Sequence, residues 1–274
     1  MVKILFGKPV ADKIFNDLSY RSKNLHAVGI TPTLAVVLVG KDAASRVYVA
    51  TKQKVAHKLG IDFLLYHLPE TISFDELSRL LVDLHLDGSV HGIIVQLPLP
   101  TSIEIEKLVP FIDPAKDVDH FNGASTYPAP TPNAILKLLD AYGISIKNKK
   151  IGIIGCGFLV GKPLQEKLKK LGAKVESYEL DTKDVSGRAR KTDILITATG
   201  QPKLVDDSFT NKTQVIVDVG NARDTQSNKV VGDVDFDAVR NKVAAITPTI
   251  GGVGPITVAL LMQNVIIAAE KQQL

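Results

Sequence analysis

The sequence predicts an α/β protein of two domains, each built on a parallel sheet. Three observations carry this expectation. At 274 residues the chain exceeds what one hydrophobic core usually serves. Short β-branched apolar runs alternate with helical stretches, the order that produces strand–helix–strand crossovers. A proline-dense stretch, Tyr127-Pro128-Ala129-Pro130-Thr131-Pro132, interrupts the alternation and marks a join.

In the first half, Val10, Ile14 and Leu18 recur every four residues and Phe15 widens the stripe, the pattern of an amphipathic helix. Residues 33–39 form a continuous apolar run, as expected of a strand buried on both faces. Residues 44–59 read as helix closed by Gly60, and 61–68 as strand. Ser73-Phe74-Asp75-Glu76 is a capping box that opens a helix carried by Leu77, Leu80, Leu81 and Leu84. Residues 90–96 make another buried strand, stopped by Leu97-Pro98-Leu99-Pro100. Beyond the join, 133–142 read as helix. A strand at 151–154 then runs into a glycine turn, followed by helix (162–171) and strand (173–180), the order of a dinucleotide-binding βαβ unit. Residues 193–198 and 213–219 supply further strands, and 255–271 an apolar helix with Pro255 in its first turn.

Composition removes several classes of function. A net charge of +4, from 33 basic against 29 acidic residues, is too slight to argue for nucleic acid; at most it favours small anions. Cys156 is the single cysteine, which excludes an intrachain disulfide framework and fits a reducing compartment. The N-terminus lacks a leader-like apolar stretch, and no segment reads as a membrane span of 18 or more apolar residues. A cytoplasmic protein that does not bind membranes is expected. His26, His57, His67, His85, His91 and His120 show no ligand spacing, so no metal is expected.

Gly155-Cys156-Gly157-Phe158-Leu159-Val160-Gly161 is a G-x-G-x-x-x-G pattern, one residue longer than the usual fingerprint. Glycines there allow a tight turn and present helix-start N–H groups to a pyrophosphate, although a plain strand-to-helix turn has the same appearance. Glu179 and Asp181 fall where the second strand ends, placed to accept a hydrogen bond from a ribose 2′-hydroxyl and to repel a 2′-phosphate. Solvated strand-end charges would read the same way. Ser45, Tyr48 and Lys52, at i, i+3 and i+7, face one side of a helix. Gln96 lies at the C-terminal end of a parallel strand, where open α/β sheets place ligands, and Asp119 lies near the hinge.

Four stretches in order resemble the signatures of the bifunctional methylenetetrahydrofolate dehydrogenase/methenyltetrahydrofolate cyclohydrolase family. They are Tyr48-Val49-Ala50-Thr51-Lys52, Val95-Gln96-Leu97-Pro98-Leu99-Pro100, Lys116-Asp117-Val118-Asp119 and Gly251-Gly252-Val253-Gly254-Pro255-Ile256-Thr257. Val160-Gly161-Lys162-Pro163 and Val231-Gly232-Asp233-Val234-Asp235-Phe236 add two more. The resemblance implies a folate-binding catalytic domain (1–121, with the final helix 256–274 returning to it) and a Rossmann-like NAD(P)-binding domain (122–255). A cleft between the two lobes is implied as well.

It also implies roles. Lys52 is the acid/base group of the cyclohydrolase step, Gln96 orients its amine, and Ser45 is available to assist. Tyr48 packs on the pterin and aminobenzoate, and Asp119 accepts from the pterin N–H groups. Leu97, Gly252 and Pro255 border the folate, while Gly155, Cys156, Gly157, Gly161, Glu179 and Asn221 border the dinucleotide. NADP is the cofactor by family habit, and NAD fits Glu179 and Asp181. A homodimer acting in tetrahydrofolate interconversion and purine biosynthesis completes the expectation.

The sequence departs from the family's pattern at several places. His120 stands where glycine is usual, Pro130 where a cysteine is usual, and Ile250 where a proline precedes Gly-Gly. Cys156-Gly157, Tyr178-Glu179-Leu180-Asp181-Thr182 and Asn221-Ala222 alter the nucleotide side. Three readings follow: the bifunctional enzyme, a cyclohydrolase with weakened dehydrogenase activity, and a catalytically silent folate-binding or assembly subunit.

Overall fold

The computed structural model of the chain describes residues 2–179, 182–223 and 230–272. The first part of the chain runs β1 (Lys3–Ile4), α1 (Lys8–Ala27), β2 (Thr33–Val39), α2 (Ala43–Lys58), β3 (Asp62–Leu68), α3 (Phe74–Leu86) and β4 (Gly92–Gln96). It continues through α4 (Ile105–Leu108), α5 (Pro130–Ala141), β5 (Lys150–Ile154), α6 (Gly161–Lys170), β6 (Lys174–Tyr178), α7 (Val185–Ala189) and β7 (Ile194–Thr197). Then come β8 (Val215–Asp218), β9 (Ala222–Arg223), β10 (Val230–Val231), α8 (Phe236–Val239), β11 (Ala245–Ile246) and α9 (Val253–Lys271).

Two compact units emerge: residues 13–130 with 258–274, and residues 1–12 with 131–257. This departs from the expected division at both ends of the first segment. Residues 1–12 group with the nucleotide-type unit because β1 pairs in parallel with β11, Lys3 opposite Ala245 and Ile4 opposite Ile246. Residues 122–130 group with the other unit because hydrogen bonds tie them to 112–117: Asn122 Nδ2 donates to the Ile112 carbonyl at 2.9 Å and the Tyr127 hydroxyl to the Ala115 carbonyl at 2.7 Å.

The smaller sheet has the order β3-β2-β4, all parallel. Every residue of β2 is buried, as its unbroken apolar run requires. The core over this sheet joins Leu18 and Leu25 of α1 and Val49 and Ala56 of α2 to Val258, Leu261, Met262, Val265 and Ile266 of α9. The expected return of the final helix to this lobe is therefore met. α9 also corrects the expectation that no segment has the length and apolarity of a membrane span. It passes that test, but 72% of its most apolar window is buried in the protein, the condition of a core helix. The capping box forms: Glu76 N–H donates to Ser73 Oγ at 3.2 Å and Ser73 N–H to Glu76 at 2.9 Å.

The larger sheet has the order β1-β11-β8-β7-β5-β6, again parallel. Its core includes Ile154, Tyr178, Leu195, Ile216 and Ile246. The proline-dense stretch is only partly a join, because α5 begins at Pro130, where a proline lacking N–H suits the first turn. Gly7 shows how closely β1 is tied to the loop ahead of α9. Its N–H donates to the Gly251 carbonyl at 2.7 Å, and a Cβ on Gly7 would land on the Gly252 carbonyl oxygen. Backbone cannot yield there as a flexible side chain would. Gly7→Ala is expected to destabilise the protein by about 1–3 kcal/mol, measured by denaturant unfolding. An unchanged midpoint would mean that this approach is not constrained.

Candidate functional site

Folate-type half-site. From β2 the chain goes first to β3 on one side and then to β4 on the other, so the carboxyl ends of β2 and β4 flank a topological switch point, the place where parallel sheets receive ligands. α2 follows β2, and Asp42 caps it by accepting from Ser45 N–H at 2.7 Å. Ser45 and Lys52 are buried on one face, with Tyr48 half-buried between them. Gln96 ends β4. The Lys52 ammonium donates to Gln96 Oε1 at 3.0 Å and lies 5.3 Å from the centre of the Tyr48 ring. Gln96 Nε2 and Ser45 Oγ both donate to the Leu97 carbonyl, at 2.8 and 3.1 Å. The Leu97–Pro98 peptide is cis. Thus Ser45, Tyr48, Lys52, Gln96 and Leu97 are brought together.

Asp119 joins them through main-chain pairing. Ile93 N–H donates to the Lys116 carbonyl at 2.7 Å, and Ile93 bridges Asp117 in parallel, so 116–118 runs beside β4. Asp119 is half-buried, and its charge reaches both Tyr48 and Lys52. Burial lowers the Lys52 pKa, and the nearby Asp119 charge opposes that shift. Burial, reinforced by Asp119, pushes the Tyr48 hydroxyl up to about 12. A buried amine that yields its proton readily, held by an amide acceptor, is equipped for proton transfer.

Three supporting residues were not legible as such. Asp117, fully buried, accepts from the N–H groups of Phe121 and Asn122, both at 2.9 Å, and so shapes the chain after Asp119. Asn264, 1% exposed, donates through Nδ2 to the carbonyls of Val118 (2.8 Å) and Pro128 (3.0 Å). Its signal was available: the Gln263-Asn264 amide pair interrupts the apolar run of α9. His120 occupies a left-handed position, φ 62°, which explains why glycine suits that place; its Nδ1 N–H donates to the Tyr127 carbonyl at 2.9 Å.

Nucleotide-type half-site. β5 lies between β6 and β7 and runs into Gly155, which adopts φ 89°. A Cβ on Gly155 would come 2.7 Å from the Ala198 oxygen, and one on Gly161 would collide with the Gly155 carbonyl. Gly157 has open space at its α-carbon. The first and third glycines therefore serve the turn and the helix packing, and the second serves approach from outside. α6 begins without a side-chain cap; the Lys162 N–H turns back to the Gly157 carbonyl at 3.2 Å, Pro163 has no N–H, and the positive end of the helix faces the glycine turn. These features fit a pyrophosphate. Cys156 is half-buried, and burial raises its thiol pKa. Glu179 and Asn221 are exposed at the ends of β6 and β8; Asp181 lies outside the described residues.

In the same unit, Gly252 is buried and Pro255 sits in the first turn of α9. The segment 251–255 is fixed by its neighbours and leads straight into α9. Gly251 is held by Gly7, a Cβ on Gly252 would come 2.6 Å from the Pro248 oxygen, and 253–255 are already helical. Ile250, which stands where a proline is usual, is 73% exposed.

Two outcomes test these half-sites. Asn264→Ala leaves the buried Val118 carbonyl and the part-buried Pro128 carbonyl without their donor and is expected to cost on the order of 2 kcal/mol in denaturant unfolding. For Lys52 the sign follows from its lowered folded pKa. The unfolded chain holds the extra proton between the folded value and about 10.4, so stability rises with pH through that window. Lys52→Met should therefore melt above the parent at neutral pH, with the difference shrinking as the pH approaches 10 or so. A gap that widens with pH would contradict the buried-cation reading.

Comparison with known proteins agrees with the two half-sites. Residues 5–119 match the tetrahydrofolate dehydrogenase/cyclohydrolase catalytic domain, and residues 129–273 match the NAD(P)-binding domain of the same family. The chain is 41% identical to "Bifunctional protein FolD" of Aquifex aeolicus, across 99% of this chain and 97% of that protein. It superposes on the bifunctional FolD enzyme of Campylobacter jejuni with a TM-score of 0.91 at 39% identity, covering 99% of each chain. Against the Trypanosoma brucei FolD enzyme, complexed with NADP and an inhibitor, the TM-score is 0.93 at 30% identity over 98% of each chain. With both domains matched and the likeness running through the whole length, the chain belongs to the tetrahydrofolate dehydrogenase/cyclohydrolase family.

Proposed function

We infer that this enzyme oxidises 5,10-methylene-tetrahydrofolate with a nicotinamide dinucleotide and hydrolyses the resulting 5,10-methenyl-tetrahydrofolate to 10-formyl-tetrahydrofolate. The observation that carries the reading is the buried Lys52 amine held 3.0 Å from Gln96 at a sheet switch point, in a chain of this family. Lys52 takes a proton from the water that adds to the amidinium-like carbon and returns a proton to the ring nitrogen as the carbon–nitrogen bond opens. Gln96 keeps the amine aimed, Tyr48 packs on the folate rings, and Asp119 accepts from the pterin N–H groups. Ser45 and Leu97 border the substrate. The turn carrying Gly155, Cys156, Gly157 and Gly161 receives the pyrophosphate at the start of α6, with Asn221 nearby. The dinucleotide, when bound, accepts the hydride at its nicotinamide ring.

For the dinucleotide we propose NAD. Glu179 is exposed one residue beyond β6, where a carboxylate accepts from a ribose 2′-hydroxyl and repels a 2′-phosphate. Arg188 is committed to Glu176 and to the face of Tyr178, with 5.3 Å to the ring centre. The NADP complex of the Trypanosoma brucei relative and the habit of the family support the other choice. A cytoplasmic homodimer without nucleic-acid or membrane partners, working in purine biosynthesis, is proposed from the resemblance.

The test follows the near-ultraviolet absorbance of reduced nicotinamide with 5,10-methylene-tetrahydrofolate and each dinucleotide, beside hydrolysis of 5,10-methenyl-tetrahydrofolate. Lys52→Met should lower hydrolysis by about 10²–10⁴-fold; a variant hydrolysing at the parental rate would remove Lys52 from the chemistry. Glu179→Ser should raise kcat/KM with NADP by on the order of tenfold while lowering it with NAD. A parent that already favours NADP would sink the NAD assignment.

A further inference from the structure

The chemistry above makes no use of two buried carboxylates in the nucleotide-type unit, Asp218 (5% exposed) and Asp233 (0% exposed). Among the described residues neither has an ion-pair partner. Each is instead held by main-chain donors. Asp218 accepts from the N–H groups of Gly220 (2.9 Å), Asp233 (3.1 Å) and Val234 (3.1 Å), and from the Thr197 hydroxyl at 3.3 Å. Its own N–H donates to the Thr247 hydroxyl at 2.8 Å. Asp233 Oδ2 accepts from Thr199 N–H at 2.6 Å, the nearby Gly200 and Gln201 N–H groups also favour its charged form, and its buried Oδ1 has no hydrogen-bond partner among the described residues.

The two segments interlock. A Cβ on Gly220 would fall on the Asp233 carboxylate, and one on Gly232 on the Asp218 carboxylate. Only glycine fits at either place, which accounts for the spacing of Asp218-Val219-Gly220 and Gly232-Asp233. Burial, with the Asp233 charge adding to it, pushes the Asp218 carboxyl up to about 6. Two carboxylates in one dry site are costly, and the return is geometric. An acceptor-only group satisfies several loop N–H groups that no sheet partner reaches.

Those loops lie where ligands enter. β5 leads to β6 on one side and, later, β7 on the other, so the segments after β5 and β7 flank the switch point. The segment after β7 packs on the glycine turn: a Cβ on Gly155 would meet the Ala198 oxygen at 2.7 Å and Thr199 Cγ2 at 3.0 Å. Asn221 follows the Gly220 that Asp218 holds. We propose that Asp233, locked in place by Asp218, is a positioning residue for dinucleotide binding, its carboxylate fixing the Thr199–Gln201 segment against the glycine turn. This rests on the dehydrogenase reading.

The test uses the full-length enzyme with whichever dinucleotide the parent reduces. Asp233→Ala leaves the Thr199 N–H without its acceptor and should raise the dinucleotide KM by about tenfold or more, the equivalent of one charge-assisted hydrogen bond. kcat at saturation should stay within about threefold, the spread expected from context alone. Hydrolysis of 5,10-methenyl-tetrahydrofolate without dinucleotide should be unchanged. Asp233→Asn retains an acceptor for that N–H and should recover most of the KM. An unchanged KM in Asp233→Ala, or an asparagine variant as impaired as the alanine one, would overturn the positioning role. Amide exchange at Thr199 in the parent enzyme needs no variant and so holds even where Asp233→Ala does not fold. Protection supports the role, and exchange at the rate of an open loop overturns it. A parent that hydrolyses but reduces neither dinucleotide refutes the dehydrogenase reading itself and this inference with it. A parent that reduces one while Asp233→Ala behaves normally refutes the inference alone.

Discussion

A central parallel strand from which the chain departs first to one side and later to the other is the constraint that organises both units. In the smaller sheet that strand is β2, between β3 and β4; in the larger it is β5, between β6 and β7. Segments leaving the carboxyl ends of the two diverging strands must separate, and the crevice between them is lined by strand ends and helix starts. α2 and the end of β4 bring Lys52 to Gln96 in this way. The glycine turn after β5 meets Ala198 and Thr199 for the same reason. Chemistry is then a matter of which side chains stand at these ends.

Stability and function pull against each other at those places. Lys52, Asp117, Asp218, Asp233 and Asn264 are all buried polar groups. Each would cost several kcal/mol if left unsatisfied. Backbone groups meet most of the cost. Asp117 takes the N–H groups of Phe121 and Asn122, Asp218 takes three from its own and a neighbouring segment, and Asn264 supplies two carbonyls. Lys52 is the exception. Its ammonium has a neutral amide and a tyrosine ring as direct company, and burial weakens its hold on the proton against the opposing charge of Asp119. The structural carboxylates are held mainly by main-chain N–H groups, whereas the Lys52 amine is left ready to change state.

Much of this was legible beforehand because it is local. Periodicity in α1, the unbroken apolar run of β2, the Ser73–Glu76 box and the Gly155–Gly161 turn are set by neighbours within a few residues. The family signatures singled out Lys52, Gln96 and Asp119 together, and the structure brings their charges and hydrogen bonds into one place. β1 and β11 were missed. Each has only two residues, too few for any periodicity, and they exist as strands because Lys3 and Ile4 find Ala245 and Ile246 across the chain. The grouping of residues 1–12 with the larger sheet follows from the same pairing.

The sequence by itself determined the alternation of elements, the glycine turn and the family, since these rest on residue type and short spacing. Only the tertiary structure decided which polar residues are buried and what they hold. Asn264 clamping Val118 and Pro128, and Asp233 holding Thr199, join residues far apart along the chain. The energy of such contacts comes from desolvation and hydrogen-bond geometry, which exist only once the chain has closed around them.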